Sequence, residues 1–147
     1  MALLFERFHQ HCQSSPEKMA LIDDSLQLSY AQLAIKIDQV ARWLQPLAQQ
    51  QAPNGLRVLS LCHQPLHHVC LSLALSKLNG TLIPTNAQST VKQIARFCRA
   101  VDADCLVYDL AAVDLEDAFV SEDKQPISIP QFAIQTAFHT DKNDQAW

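Results

Sequence analysis

The stretch of residues 57–86, RVLSLCHQPLHHVCLSLALSKLNGTLIPTN, constrains the fold more than any other part of the chain. Its apolar start at residues 58–61 is typical of a strand that is buried on both faces. Gln64-Pro65 favours a helix start, because proline at the first helical position gives up an N–H that would have no partner there. Residues 66–78 carry apolar side chains around most of the helix circumference, so this helix is expected to be buried.

The end of the same stretch predicts a return to the sheet. Asn79-Gly80 is expected to end the helix, since glycine takes the left-handed conformation of a C-terminal cap. Residues 81–83 then form a strand, which Pro84 ends. A strand, a helix and a strand within about 30 residues are typical of a parallel crossover unit. The stretch therefore predicts an α/β fold with a mainly parallel sheet.

The N-terminal flank adds two helices and a hairpin. Residues 2–13 have helical periodicity, and residues 19–28 predict two short antiparallel strands. Ser29 and Gln32 form a capping box at the start of a long helix. Pro46 is expected to kink or end that helix, and the glutamine-rich residues after it are expected to form a loop.

The C-terminal flank repeats the alternation of helix and strand. Thr90 and Gln93 form a second candidate capping box before an amphipathic helix, and Cys105–Tyr108 predicts a third parallel strand. Beyond it we expect a short helix at 113–119, a short edge strand at 126–130 between two prolines, and a frayed polar C-terminus. The expected fold is a three-layer α/β unit with crossover helices and an N-terminal hairpin.

Composition excludes several classes of function. The chain has 147 residues, 48% of them apolar and 18% charged, as in one globular domain with a core. No apolar run reaches the ~18 residues of a membrane span, and Glu6 and Arg7 interrupt any signal peptide, so we expect a cytoplasmic protein. Residues 1–100 carry nine basic and five acidic side chains, and residues 101–147 carry two and ten. Without a basic stripe, nucleic acid is not an expected partner.

Ligand-type side chains cluster around the predicted strand-to-helix turn: Cys62, His63, His67, His68 and Cys70. His63 and His67 are four residues apart, so on a helix they would share a face and could bind zinc. Because no further ligand pair follows at the spacing of a structural site, we favour a turn with buried cysteines and exposed histidines. The five cysteines contain no CxxC and are expected to be reduced.

Other candidate sites lack the sequence context that their chemistry requires. Gly55 and Gly80 are isolated, so there is no phosphate-binding loop, and no glycines flank Ser60 or Cys62 as a nucleophile elbow requires. The acidic segment has no calcium-loop spacing and is interpreted as a solvated face, formed by Asp114, Glu116, Asp117, Glu122 and Asp123. The basic side chains of Arg57, Lys77 and Lys92 are interpreted as solvated surface. We assign no catalytic, cofactor-binding or metal-binding residue.

Four short segments, in order and spacing, resemble the N-terminal part of the adenylate-forming enzyme superfamily. That superfamily includes acyl-CoA synthetases, adenylation domains of peptide synthetases and beetle luciferases. LSYAQL at 28–33 resembles its L-T-Y-x-x-L, GLRV at 55–58 its G-D-x-V, and LSKLNGTLIPTN at 75–86 its A-x-x-K-x-G-A-x-x-x-P-x-N. The opening resembles it at Phe5, Ser15-Pro16-Glu17 and Ala20-Leu21. The resemblance spans residues 3–110 and departs from the pattern at Pro46, Leu56 and Asn79.

The resemblance implies that residues 1–147 are the N-terminal scaffold of an ATP-dependent, AMP-forming carboxylate ligase, inactive alone. The family's phosphate loop comes after the matched region, so ATP, Mg²⁺ and coenzyme A are implied for the parent enzyme and no cofactor for this chain. The implied partners are the remainder of the parent or a second copy of the chain, and the parent's implied substrate is a small carboxylic acid. Asn86, where peptide-synthetase domains more often have aspartate, implies a parent that joins an acyl or aryl acid to coenzyme A.

The alternative is a free-standing, non-catalytic α/β module that binds a partner protein. A phosphate loop rich in serine, threonine and glycine, encoded directly downstream of Trp147 or in an adjacent gene, would favour the first interpretation.

Overall fold

The structure, a computed structural model, describes residues 3–23, 26–51, 53–85, 91–109 and 129–140. In chain order the helices and strands are α1 (Leu3–Ser14), β1 (Met19–Ile22), β2 (Gln27–Ser29), α2 (Tyr30–Gln51), β3 (Arg57–Leu61), α3 (Pro65–Lys77), β4 (Thr81–Pro84), α4 (Val91–Val101), β5 (Cys105–Tyr108), β6 (Gln131–Ala133) and α5 (Gln135–Thr140). Within these described ranges, no helix is long and apolar enough to cross a membrane.

Four parallel strands form the main sheet, in the order β4-β3-β5-β6. β3 is central, and its Val58 lies opposite Leu82 of β4 on one side and Cys105 of β5 on the other. This arrangement confirms the three parallel strands that the sequence predicts. β1 and β2 form a separate antiparallel pair, which confirms the hairpin.

The two faces of the sheet are covered by different helices. Successive side chains of a strand point to opposite faces, so Val58 packs in a core cluster with α2, α3 and α5, whereas Leu59 packs in a second cluster with α4. In α4, Ile94 and Cys98 form the buried face that the sequence predicts. Helix, sheet and helix thus form the three layers of the expected fold.

The crossover helix α3 is buried as predicted, but a different residue ends it. Asn79 takes the left-handed conformation, with φ of 57°, in place of the expected Gly80. The N–H of Gly80 donates to the Leu75 carbonyl at 2.8 Å and that of Asn79 to the Ser76 carbonyl at 3.3 Å, which is the bond pattern of a Schellman motif. Glycine is needed at position 80 for another reason, since an added Cβ would lie 2.9 Å from the Leu56 carbonyl oxygen.

Helix α2 begins as predicted and ends later than predicted. The Ser29 N–H donates to Gln32 Oε1 at 2.9 Å and the Gln32 N–H to Ser29 Oγ at 3.2 Å, which confirms the capping box. Of the kink or end expected at Pro46, the end is wrong, because α2 continues to Gln51, and the glutamine-rich residues 49–51 belong to the helix instead of the expected loop. Pro46 is exposed, so water can reach the carbonyl that its missing N–H leaves unbonded, while Leu47 packs against the core and holds the last turns.

The C-terminal part differs most from expectation. The outer strand is β6, which the sequence does not predict. Of the strand expected at 126–130, residues 129 and 130 lie before β6 and outside any strand, and residues 126–128 lie outside the described residues. His139 and Thr140, expected to be frayed, end α5. The helix expected at 113–119 and the cap expected at Thr90 also lie outside the described residues.

Candidate functional site at the carboxyl edge of the sheet

The edge where the parallel strands end is the place to look for a ligand site. In open α/β sheets, ligands bind outside the carboxyl ends of strands, where the chain connections diverge to either side. The chain leaves β3 through α3 towards β4 on one side, whereas β5 pairs with β3 on the other and leads to β6. The side chains that follow β3 and β5 therefore form the candidate site.

Asp109, directly after β5, is the central side chain of this edge. It is fully buried, and its Oδ2 accepts hydrogen bonds from the N–H groups of His63 at 2.9 Å and Gln64 at 3.1 Å. Gln64 is the N-cap residue of α3, and its own side chain makes no capping hydrogen bond. The carboxylate of Asp109 thus occupies the electropositive start of α3, where local capping is absent.

The expectation that the histidines are exposed is wrong for His67. Its side chain is buried, with Nδ1 3.5 Å from Asp109 Oδ2 and its ring stacked on Phe138 of α5 at a centroid distance of 6.1 Å. His63 and His68 are exposed, as expected. His67 is the third residue of α3, so its position faces both the neighbouring β5 edge and α5, which helical spacing alone does not reveal.

The candidate nucleophiles are held in unreactive states. Ser60 is buried, and its Oγ accepts the Cys62 N–H at 3.2 Å. Burial, and secondarily the nearby Asp109 carboxylate, raise the pKa of the Cys62 thiol to about 12. Nucleophilic cysteines need the opposite shift, because the thiolate is the reactive form. Burial likewise raises the pKa of Cys70 and Cys105 to about 12.

The residues considered as metal ligands do not converge. His63 precedes the first residue of α3, so it does not share a helix face with His67. Among the residues described by the structure, no three His, Cys, Asp or Glu side chains form a group that could hold a metal ion. The acidic residues 114–123 lie outside the described residues.

Two of the basic residues interpreted as surface have defined partners. Arg57 is exposed, and its guanidinium donates to the Val101 carbonyl at the end of α4 from Nε at 3.1 Å and from an Nη at 2.7 Å. Lys77 Nζ lies 3.3 Å from Asp38 Oδ1. The side chain of Lys92 is outside the described part of the chain.

The edge is thus a closed polar junction rather than an open cradle for an anion. An anionic group placed at the start of α3 would meet the Asp109 carboxylate, which already accepts the nearby N–H groups. Sequence reasoning missed Asp109, although a usable signal was present. Asp109 directly follows a buried strand, and the ends of parallel strands meet at one edge.

Both the sequence and the fold of the chain can be compared with those of known proteins. Residues 8–146 match the family described as AMP-binding enzyme. None of the curated proteins matches the chain. The N-terminal domain of FACL13 from Mycobacterium tuberculosis superposes with a TM-score of 0.80 at 18% identity, covering 92% of this chain and 35% of that one.

Two further solved structures have the same fold. Mycobacterium tuberculosis fatty acyl CoA synthetase gives a TM-score of 0.77 at 19% identity, covering 88% of this chain and 26% of that one. The NpsA N-terminal subdomain of Klebsiella oxytoca, in complex with anthranilyl-AMSN, gives 0.71 at 20% identity, covering 92% and 32%. The chain therefore spans about a third or less of these structures. The family match over nearly its whole length shows that the chain belongs to the AMP-binding enzyme family.

Proposed function

We propose that residues 1–147 are the N-terminal scaffold subdomain of an ATP-dependent, AMP-forming carboxylate ligase of the acyl-CoA synthetase type. One observation carries the proposal: the family match runs along residues 8–146, yet the chain spans only 26% of a solved fatty acyl CoA synthetase. The sheet and the crossover helices of this part form a layered unit. In the proposal, the remainder of the parent enzyme contributes the reacting groups.

The described residues do not fit ATP or Mg²⁺. The start of α3 is the natural position for a phosphate, because helix N-termini attract anions. Here the buried carboxylate of Asp109 fills that position and already accepts the N–H groups of His63 and Gln64. We therefore assign ATP, Mg²⁺ and coenzyme A to the parent enzyme and derive no step of the reaction through this chain.

Adenylation also requires groups that this part of the chain lacks in its described ranges. Bringing an anionic carboxylate to an anionic phosphate needs preorganised donors aimed at the developing charge. The glycines that could provide such a backbone cradle are isolated, and Gly80 packs tightly against the Leu56 carbonyl. Loss of even one such donor costs about 10²–10³ in rate, so the chain alone is proposed to be inactive.

The proposed substrate of the parent is an acyl or aryl carboxylic acid that is joined to coenzyme A. Asn86 supports this choice through the resemblance stated above, and it lies outside the described residues. If the full-length parent exchanged pyrophosphate only with amino acids, this substrate class would be wrong.

Two assays on the purified 147-residue protein test the scaffold proposal. We expect no ATP–pyrophosphate exchange above background with fatty, aryl or amino acids, and no calorimetric heat of Mg-ATP binding at micromolar concentration. A complete acyl-CoA synthetase in the same assays provides the positive control. Micromolar ATP binding, or exchange above background, would overturn the proposal.

The second candidate is a free-standing module that binds a partner protein or a second copy of itself. Six large apolar side chains among the described residues are exposed by 41–63%, which is expected both of a module that binds a partner and of a subdomain separated from its parent: Leu3, Leu4, Met19, Ile22, Ile35 and Phe97. Sedimentation velocity from micromolar to millimolar concentration distinguishes a monomer from a self-associated form of the chain. Strictly monomeric behaviour would count against self-association.

A further inference from the structure

Helix α4 presents a basic outer surface on the face of the main sheet opposite to α3. Its sequence, VKQIARFCRAV, contains three basic residues and no acidic one. Arg96 and Arg99 are exposed, whereas Ile94 and Cys98 are buried against the sheet. Residues three apart are neighbours on a helix surface, so the two arginines lie side by side. We call Arg96 and Arg99 the α4 basic pair.

Two acidic residues follow α4, beyond its last residue, Val101. Asp102 is exposed, and Asp104 Oδ2 accepts the Arg57 N–H at 2.8 Å. The Arg57 guanidinium donates to the Val101 carbonyl, so it adds a positive charge at the same end of the helix. The acidic residues are therefore confined to one end of α4, and the sequence of the helix itself carries positive charge only.

The order of the strands determines which face of the sheet the next connection crosses. The chain passes from β3 to β4 through α3 in one direction along the sheet and from β4 to β5 through α4 in the other, and the two helices lie on opposite faces. Connections between parallel strands of one sheet are right-handed in almost all proteins. The step from β5 to β6 has the direction of the step from β4 to β5. Its connection, residues 110–128, is therefore expected on the face that α4 covers.

Arg99 lies on the side of α4 that is nearest to this connection. Each residue advances by about 100° around a helix, so Arg99 lies on one flank and Phe97 on the other when Ile94 and Cys98 point towards the sheet. In a right-handed helix that belongs to a right-handed crossover, the flank of Arg99 faces β5 and β6. Arg96 lies between the two flanks, on the outer surface of the helix.

Residues 110–128 lie outside the described residues, and their sequence is acidic. The ends of this segment are set by Asp109, directly after β5, and by Ile129, shortly before β6. A strand of four residues is about 13 Å long and 19 extended residues reach about 63 Å, so the segment can cross the sheet and still reach α4. It contains one basic residue, Lys124, and five acidic residues: Asp114, Glu116, Asp117, Glu122 and Asp123.

We propose that the α4 basic pair is an intramolecular docking surface for the acidic residues of segment 110–128. Carboxylates of the segment accept charge-assisted hydrogen bonds from the two guanidinium groups, a contact for which arginine is well suited. The acidic segment is then held on α4, in contrast to the fully solvated face expected from the sequence. The inference does not depend on the proposed function, because it uses only the topology and the charges of this chain.

A zero-length cross-linker tests the position of the contact. Arg99→Lys supplies an amine at the proposed contact, and a carbodiimide joins an amine to a carboxylate that touches it. We expect mass spectrometry of the digested 147-residue protein to find a link between position 99 and an acidic residue of segment 110–128. Arg7→Lys is the control, because Arg7 is exposed on α1, which packs on the opposite face of the sheet, and it should give no link to the segment.

Charge variants test the attraction. Arg96→Gln combined with Arg99→Gln is expected to speed hydrogen–deuterium exchange in residues 110–128 about three- to tenfold, as the loss of two partly exposed ion pairs allows. Arg7→Gln should leave the exchange unchanged. Salt at about 1 M should speed exchange of the segment in the unmodified chain and have little effect in the double variant, because salt screens exposed charges. All three arginines are exposed, so the variants should fold.

Any of three results would overturn the proposal. The first is the absence of the cross-link from position 99, or equal linking from the Arg7→Lys control. The second is equal exchange of residues 110–128 in the double variant and the unmodified chain. The third is faster exchange of the segment on dilution by about a hundredfold, because an intramolecular contact does not depend on concentration and this result would assign the contact to a second copy of the chain.

Discussion

Helices α1 and α3 have nearly the same length, 12 and 13 residues, and lie in contact, yet they differ in how deeply they are buried. No residue of α1 is fully buried, whereas α3 has seven buried residues, including His67 and Ser76. α3 connects two strands of the sheet and is buried along most of its circumference, with His68 exposed, while α1 packs through one face. Position in the topology, more than length, determines how much of a helix is buried.

The two helices also differ in how their ends are bound. α3 begins beside the buried carboxylate of Asp109 and ends in a Schellman motif at Gly80. α1 is attached near its start by a hydrogen bond from the Phe5 N–H to Ser76 Oγ of α3. We therefore expect α1 to depend on α3 for its stability, and α3 to depend little on α1.

The largest expected effect on the free energy of unfolding comes from comparing one leucine from each helix. Leu71 of α3 is 0% exposed and Leu4 of α1 is 56% exposed. Leu71→Ala is expected to lower the free energy of unfolding by about 2–5 kcal/mol, because it leaves a cavity in the core. Leu4→Ala should change it by less than about 0.5 kcal/mol. Urea denaturation measures both, and similar losses in the two variants would contradict the comparison.

The start of α3 gives the next largest effect. Asp109→Ala removes the acceptor of the His63 and Gln64 N–H groups and should lower the free energy of unfolding by about 1.5–3 kcal/mol. Asp38→Ala removes an exposed carboxylate from α2 and should cost at most about 1 kcal/mol, which makes it the control. Equal losses in the two variants would show that the Asp109 bonds do not stabilise the helix start.

The cysteines of the two helices are expected to contribute differently to the loss of stability at alkaline pH. Burial raises the pKa of the Cys70 thiol from 9.0 to about 12, and that of the half-buried Cys12 is also raised. Above pH 9 the unfolded chain loses thiol protons that the folded chain keeps, so stability is complete below pH 9 and falls towards pH 12.

Alanine variants measure the share of each thiol in this loss. Cys70→Ala should flatten the alkaline loss of stability by up to about 1.4 kcal/mol per pH unit, since one pKa unit corresponds to that energy. Cys12→Ala should flatten it less, because Cys12 is only half-buried. Urea denaturation at several pH values gives both slopes, and an equal effect of the two variants would contradict this expectation.

The smallest expected effect concerns the attachment of α1. Ser76→Ala removes the acceptor of the Phe5 N–H and should lower the free energy of unfolding by about 0.5–1.5 kcal/mol. Hydrogen–deuterium exchange should become faster in α1 while α3 stays protected. Faster exchange in both helices would mean that the helices open together.

The parts of the fold that the sequence predicts are those with strong local patterns. The apolar runs before and after α3 predict adjacent parallel strands, and the capping box at Ser29 places the start of α2 correctly. β6 has only three residues and no alternation, so it carries no comparable signal. The end of α2 predicted at Pro46 is wrong because the free-energy cost of a proline inside a helix depends on its exposure and on the packing of the turns beyond it. Both are properties of the folded chain.

The candidate site was predicted less well, because its contacts join distant residues. The position of His67 depends on the distance between α3, the end of β5 and the Phe138 ring. Sequence spacing contains none of these distances. The left-handed conformation of Asn79 was not predicted, because glycine adopts it more readily and Gly80 is the next residue. The close approach of the Leu56 carbonyl oxygen to Gly80 is visible only in the structure.

The bond between Asp109 and the turn before α3 has a consequence for the order of folding. Its donors precede the acceptor by 46 and 45 residues, so this turn cannot be completed from its own sequence. While the chain is being synthesised, β3 and α3 emerge before their acceptor exists. We expect both crossover units to complete in one cooperative step, with the amide protons of His63 and Gln64 protected only after β5 has joined the sheet.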